Sequence, residues 1–511
     1  MKESFLCKDG VEIIGIGPRE KVIITSNTSA CLQVKARILE IKRVKVRNIT
    51  LRGASKRKAT VSLSNGQLLI EDCDITSASS ECVSISNPRA NHTLRNCTIH
   101  NGADGGILLT NHAKGTIEDC EVYDNTEAGV IIREYATPII RRCTIHSGQK
   151  SGIFIEKNEG SNLGAQDRVQ ILECTIFENA EHGIEIQHVE ASAKSEPLVQ
   201  TCLIYDNKRC GISVTNKGRG TLEKCEIFRN ASEALAEVEI SGKDSQLTLR
   251  QCEMYDSHHC GIVIHDEGEG RIVGCAIYCN TLAGVEVTAQ GKVTLKEESH
   301  IKYGQKNGVF IHDHGQGDIE NCFIYENEAA GVKLQPGTVS IRITNCKIYD
   351  SRGSGILIYG KSNEAVIGEV TIEGCDIFKN ANGGIELRGN VHPTISYCNV
   401  YEGNGVGILA CEQSKGNIRH TNIHHNAYIG AAIKHSELTF EACRIYDNLS
   451  QGIMISEQGR VDIDKACTFI RNKGGTLQTQ VDCQIMLKGK KMRLTDYIVL
   501  FVRSLGMMKN G

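Results

Sequence analysis

The sequence predicts an all-β, single-stranded right-handed parallel β-helix, and three observations carry that expectation. A cysteine-anchored motif recurs along most of the 511 residues. Its usual spacing of 22–24 residues is too short for helical-pair repeats or propeller blades. Within each copy the apolar residues alternate with a period of two, as half-buried strands do.

The anchor itself comes first. Looking for Cys-x-Ile followed by Gly-Ile/Val nine residues after the anchor finds seventeen copies, from Cys73 to Cys467, with Ser299 and Thr421 replacing cysteine, Ile or Val at plus two in fifteen and glycine at plus nine in fourteen. Each copy reads as one coil of about three short strands, which gives about 17–19 coils once the first ones are included. The anchor and the apolar residue two further on face the interior and stack on their counterparts. The slot also accepts Ser and Thr, so packing explains the cysteine column better than metal or disulfides do. At plus three an aromatic or histidine recurs, read as a column of rings stabilising its own corner. Asparagine at plus five, as in Asn207 and Asn327, suits a left-handed turn and a hydrogen-bonded stack. The glycine at plus nine is expected where a corner needs a conformation that a β-carbon disfavours. Four coils are longer (143–174, 174–202, 225–252 and 346–375), with every extension expected after the G-I-x-I strand. Handedness follows the general rule for parallel crossovers.

Boundaries follow the pattern. Residues 1–50 read as an N-terminal cap and first coils, with VEIIGIGPREKVIITS forming strands around a Gly-Pro turn. Residues 51–480 are the β-helix, and 481–511 a C-terminal cap or tail.

Composition narrows the function classes. A formal net charge of −3 gives no basic field for nucleic acid or an anionic membrane. The start, MKESFLCKDGVEI, has no apolar signal core, and the run Tyr497–Val502 is too short to cross a bilayer. The 23 cysteines then read as reduced thiols, with a cytoplasmic or nuclear location expected.

The coils IYDNKRCGISV, GTIEDCEVYDNTEAGVII and TPIIRRCTIHSGQKSGIFI resemble parallel β-helix repeats of the carbohydrate-binding and sugar-hydrolase type. They are most similar to the β-helix region of F-box-only ubiquitin-ligase receptors, and the first hundred residues resemble the β-helix of Shc-binding spindle and midbody proteins. The resemblance implies a non-enzymatic recognition scaffold, with ubiquitin-ligase or cytoskeletal partners and no cofactor. The competing class is a polysaccharide-binding or polysaccharide-active protein of lyase or epimerase type, for which an oligosaccharide is the partner.

Candidate residues lie on the outward position of the G-I-x-I strand. There Phe154, Glu185, Glu286, Phe310, Lys333 and Leu357 alternate apolar and charged side chains, with His265 and His312 two positions further along. An exposed apolar column marks an interface, so a protein partner is expected on this face, anchored by Phe154 and Phe310 and edged by the loops near 157–168 and 188–197. For a lyase or epimerase, His265, Glu286 and His312 would instead supply the acid–base groups. No compact catalytic cluster is legible in the sequence, so no catalytic residue is assigned. His258, His259, Cys260 and Cys279 form an irregular corner that could hold a soft metal ion, although their spacing fits no standard zinc motif.

Overall fold

The computed structural model describes residues 11–34, 44–156, 168–188, 196–230, 232, 236–360, 367–480, 482–487 and 489–491. The fold is an all-β right-handed parallel solenoid of about 18 turns with essentially no helix. It divides into two compact units, Met1–His259 and Cys260–Gly511.

In both units every coil contributes one strand to each of three parallel sheets. One precedes the anchor, one follows it, and one carries G-I-x-I. In the first unit the ladder Ile99, Val122, Ile145, Ile176, Ile204, Ile227 and Met254 runs in register through the anchor-strand sheet. In the second unit Ile277, Ile301, Ile324, Ile348, Ile377 and Val400 do the same. Like residues therefore stack on like, and these side chains are fully buried. Burying an Ile or Val in this way is worth roughly 1.5–3 kcal/mol each, which makes the interior the main source of stability.

The anchor cysteines are buried, and every described cysteine is a free thiol. A typical anchor, Cys143, donates to the Arg141 carbonyl (3.4 Å) and to Ile117 in the coil before (3.5 Å). A hydroxyl does the same work at Thr421, which donates to the Arg419 carbonyl at 2.9 Å. At plus three the rings stack, with 5.1 Å between Phe177 and Tyr205 and 4.8 Å between Tyr325 and Tyr349.

Two conformational expectations are corrected. The plus-nine glycines have no positive φ. They are required for space: a β-carbon on Gly308 would stand 2.6 Å from Ile324 Cγ2 and 2.7 Å from the Gly331 carbonyl oxygen. Left-handed residues sit instead just before the anchor, at plus four and in the turn after the G-I-x-I strand, as at Asn321 (φ 53), Asp206 (φ 54) and Asp313 (φ 44). Nor is the plus-five asparagine left-handed. Its side chain is buried and forms a ladder, with Asn207 Oδ1 accepting from Asn179 N (3.1 Å) and Nδ2 (2.9 Å).

The extensions also differ from expectation in one coil. Three fall after the G-I-x-I strand, at 157–167, 189–195 and 361–366, outside the described residues. The fourth precedes its strand, Ala236–Ser241, so Glu239 and not Ala236 stands beside Ser213 in the outward column.

The opening residues form strands Glu12–Ile14, Ile23–Ser26 and Leu32–Val34 around a 3-10 turn at Arg19–Lys21. Near the other end, Gln484–Leu487 pairs antiparallel with Lys490–Lys491. The tail from 492 onward lies outside the described residues. Among the described residues no helix is long and apolar enough to cross a membrane.

Candidate functional site

In the second unit the outward column runs in register through Val263, Glu286, Phe310, Lys333, Leu357 and Glu386. Inward residues of the same strands, such as Val285, Val309 and Val332, are fully buried. This alternation turns Glu286, Phe310 and Lys333 to the outer surface, one coil apart.

The column is not the exposed apolar stripe expected. Val263 is buried at 4% exposure, and Phe310, Leu357 and Leu409 are only half exposed, with His312 and Lys333 against the Phe310 ring. In the first unit Ile131 is buried and Phe154 half-buried, with the Arg133 guanidinium 5.4 Å from its ring. A large exposed apolar patch is what would have marked an interface, and the described residues of this face do not form one.

It offers instead a histidine–carboxylate pair. Glu286 Oε1 lies 2.9 Å from His312 Nε2, and Glu286 Oε2 accepts from the Cys260 thiol at 3.0 Å. The bond to His312 holds the Glu286 carboxyl below its usual range, against the opposing effect of burial, and Cys260 adds to the lowering. Cys260 is itself pushed up, first by burial and then by Glu286, so it remains a neutral donor. The other imidazole nitrogen, Nδ1, lies 3.4 Å from Thr288 Oγ1. The Phe310 ring is wedged between His312 (centroids 4.4 Å apart) and the Lys333 ammonium (5.2 Å), fixing both. Lys333 has no carboxylate partner among the described residues. His265 is not part of the pair, its Nδ1 lying 2.8 Å from Asp266.

A donor motif that sequence reading missed underlies this geometry. The residue one before the plus-nine glycine donates to a glutamate in the following coil. It recurs as Ser151 to Glu185 (2.9 Å), Cys210 to Glu239 (3.6 Å), Cys260 to Glu286 (3.0 Å) and Ser354 to Glu386 (2.8 Å). In three of the four the signal was present as Ser or Cys at plus eight with Glu at plus eleven of the next copy; Glu239, displaced by the extension of its coil, stands at plus fourteen. The second partner distinguishes the sites. Gln187 donates to Glu185 and Arg388 to Glu386, whereas Glu286 faces a histidine.

Cys260 is committed to Glu286, His258 and Cys279 are exposed, and Cys279 occupies a left-handed corner (φ 56). Among the described residues no group of three or more His, Cys, Asp or Glu is arranged to hold a metal ion. The loops expected to edge the binding face lie almost wholly at 157–167 and 189–195, outside the described residues.

Comparison with known proteins agrees on the fold. The family described as right handed beta helix region matches residues 23–188, 161–239, 237–392 and 337–490. The chain belongs to this right-handed β-helix family. No curated relative matches it. Among solved structures it resembles the A-module of an Azotobacter vinelandii mannuronan C-5 epimerase (AlgE6), at 16% identity and TM-score 0.45, over 65% of this chain and 90% of that one. It also resembles a PL6-family alginate lyase, AlyGC, at 9% identity and TM-score 0.30, over 95% and 97% of the two chains. A third is the Dettilon tailspike protein, at 11% identity and TM-score 0.25, over 82% and 64%. At such values the likeness is one of fold.

The expectation of a non-enzymatic ubiquitin-ligase-type or cytoskeletal scaffold is corrected here. The comparisons carry the likeness as far as the right-handed β-helix family and no further. The face meant to carry a protein partner is half covered and bears an acid–base pair.

Proposed function

We propose that the chain acts on an acidic polysaccharide, removing a proton from the carbon next to a uronate carboxylate. The observation that carries this reading is the Glu286–His312 pair beside the uncompensated ammonium of Lys333. With Nε2–H donating to Glu286, Nδ1 is the basic nitrogen. Glu286 orients the ring and stabilises the imidazolium formed when Nδ1 takes the proton. Lys333 offsets the charge that builds on the uronate carboxylate as the C–H bond breaks. Return of a proton from water to the opposite face gives the epimer, with the His312 proton passing to solvent; expulsion of the C4 oxygen, protonated by water as the C–O bond breaks, gives an unsaturated sugar and a cut chain.

The test is turnover of polymannuronate, polyguluronate and polygalacturonate by the full chain, read as unsaturated uronate by absorbance and as epimer by NMR. His312→Ala should lose about 10²-fold or more in rate. Glu286→Gln, which keeps the size of the side chain, should lose part of that. Turnover undiminished in His312→Ala, or no turnover of any uronate polymer by the wild-type chain, defeats this reading.

A further inference from the structure

The coil anchored at Ser299 departs from the repeat at two adjacent positions. At plus three, where the ring column stands in most coils, it has Lys302, and at plus four, where Asp206 and Glu326 stand in theirs, it has Tyr303. Lys302 lies in register between Tyr278 and Tyr325. Its ammonium is 5.5 Å from the Tyr278 ring centroid, 5.3 Å from Tyr303 and 5.8 Å from Tyr325. Tyr303 takes a left-handed backbone (φ 54) and stands edge-on to Tyr325 at 6.0 Å, closing the third wall. Lys302 has no carboxylate partner among the described residues.

We infer that Lys302 is a lysine N-methylation site whose methylated ammonium is held in this three-tyrosine cage. An unmodified ammonium carries three N–H donors, and ring faces cannot replace the water those donors lose. Each methyl group removes a donor and spreads the charge, so a trimethylammonium keeps the attraction to the rings and needs no acceptor. The neighbouring carboxylate, Glu326, is bonded to the Tyr303 hydroxyl and not to Lys302, which leaves ring faces around the ammonium and suits that state. In each transfer a sulfonium methyl donor gives a methyl to the deprotonated Lys302 Nζ. The N–C bond forms as the C–S bond breaks, the sulfonium leaves as a neutral thioether, and the amine proton goes to solvent.

The test has two parts. The full chain isolated from the tissue that makes it is peptide-mapped beside the recombinant chain, and full chain synthesised with trimethyl-lysine at 302 is melted beside unmodified chain. The natural Lys302 peptide should carry methyl groups and resist tryptic cleavage after that residue. The trimethylated chain should melt roughly 1–4 °C higher, and Tyr303→Ala should abolish the gain. Unmethylated Lys302 in the natural protein overturns the inference. So does a trimethylated chain that melts no higher, or a gain that survives Tyr303→Ala. None of these readouts depends on uronate turnover.

Discussion

Glu237 is fully buried and closes the asparagine ladder of the first unit, accepting from Asn230 N at 3.0 Å and Asn230 Nδ2 at 2.6 Å. Burial pushes its carboxyl up to about 8, against the lowering effect of the Asn230 bonds. The raised value fixes the sign of its pH dependence. Below about 4.5 both folded and unfolded chains hold the proton, and the group has no effect on stability. Between there and about 8 the unfolded chain ionises while the folded one stays neutral, so stability falls as pH rises. Glu237→Gln keeps the shape and an acceptor oxygen, and removes that loss. Urea unfolding should find the variant more stable by up to about 3 kcal/mol at pH 7, falling to about 1 kcal/mol at pH 5. An equal advantage at both pH values would contradict the buried neutral carboxyl.

The strand and its corners show why one glycine is indispensable and other turns are not. Gly308 lies against Ile324 Cγ2 and the Gly331 carbonyl, so Gly308→Ala must push either a side chain or a backbone out of place. A cost of about 1–3 kcal/mol is expected from overpacking. Lys379 is left-handed (φ 55) at a plus-four corner, where glycine is tolerated without strain. Lys379→Gly should therefore stay within about 1 kcal/mol of wild type. Paired thermal melts decide it, and the reverse order would restore conformation as the reason for the plus-nine glycine. The sequence pattern located that glycine correctly but not its cause. Spacing along one chain does not reveal which atoms of the next coil stand above it.

Stacking ties each unit together. Ile204 is fully buried between Ile176 and Ile227. Ile204→Asp would place an unpaired charge there and remove support from the coils on both sides. Circular dichroism should show a large loss of β signal or a melt lowered by many degrees; a wild-type melt would mean the interior register is wrong. Strand periodicity, coil length, the ring column and the buried cysteines were all legible, because each follows from a period that one sequence displays. The site was only partly legible. Glu286, Phe310, His312 and Lys333 were singled out, but as members of a long column and not as a cluster. Their convergence depends on side chains reaching from one coil to the next, as Cys260 does to Glu286. His265 looked equivalent to His312 by spacing, yet the structure pairs it with the adjacent Asp266.

The contact between each plus-nine glycine and the isoleucine of the coil above also gives the chain something like a reading frame. From Cys202 to Cys225 one coil advances the pattern by 23 residues, so removing residues 203–225 brings Ile176 beside Ile227 with every like residue still matched to like. Removing only 203–214 takes out Leu203–Tyr205 and most of Ile212–Thr215, so one coil loses two of its three strands and the coils on either side lose their match there. The larger deletion should yield a soluble chain with a cooperative melt, and the smaller one an aggregate. If both fold equally well, the coils are not held in phase by that contact. If the expectation holds, such a protein can be shortened or lengthened in whole coils, leaving the Cys260–Glu286–His312 constellation intact.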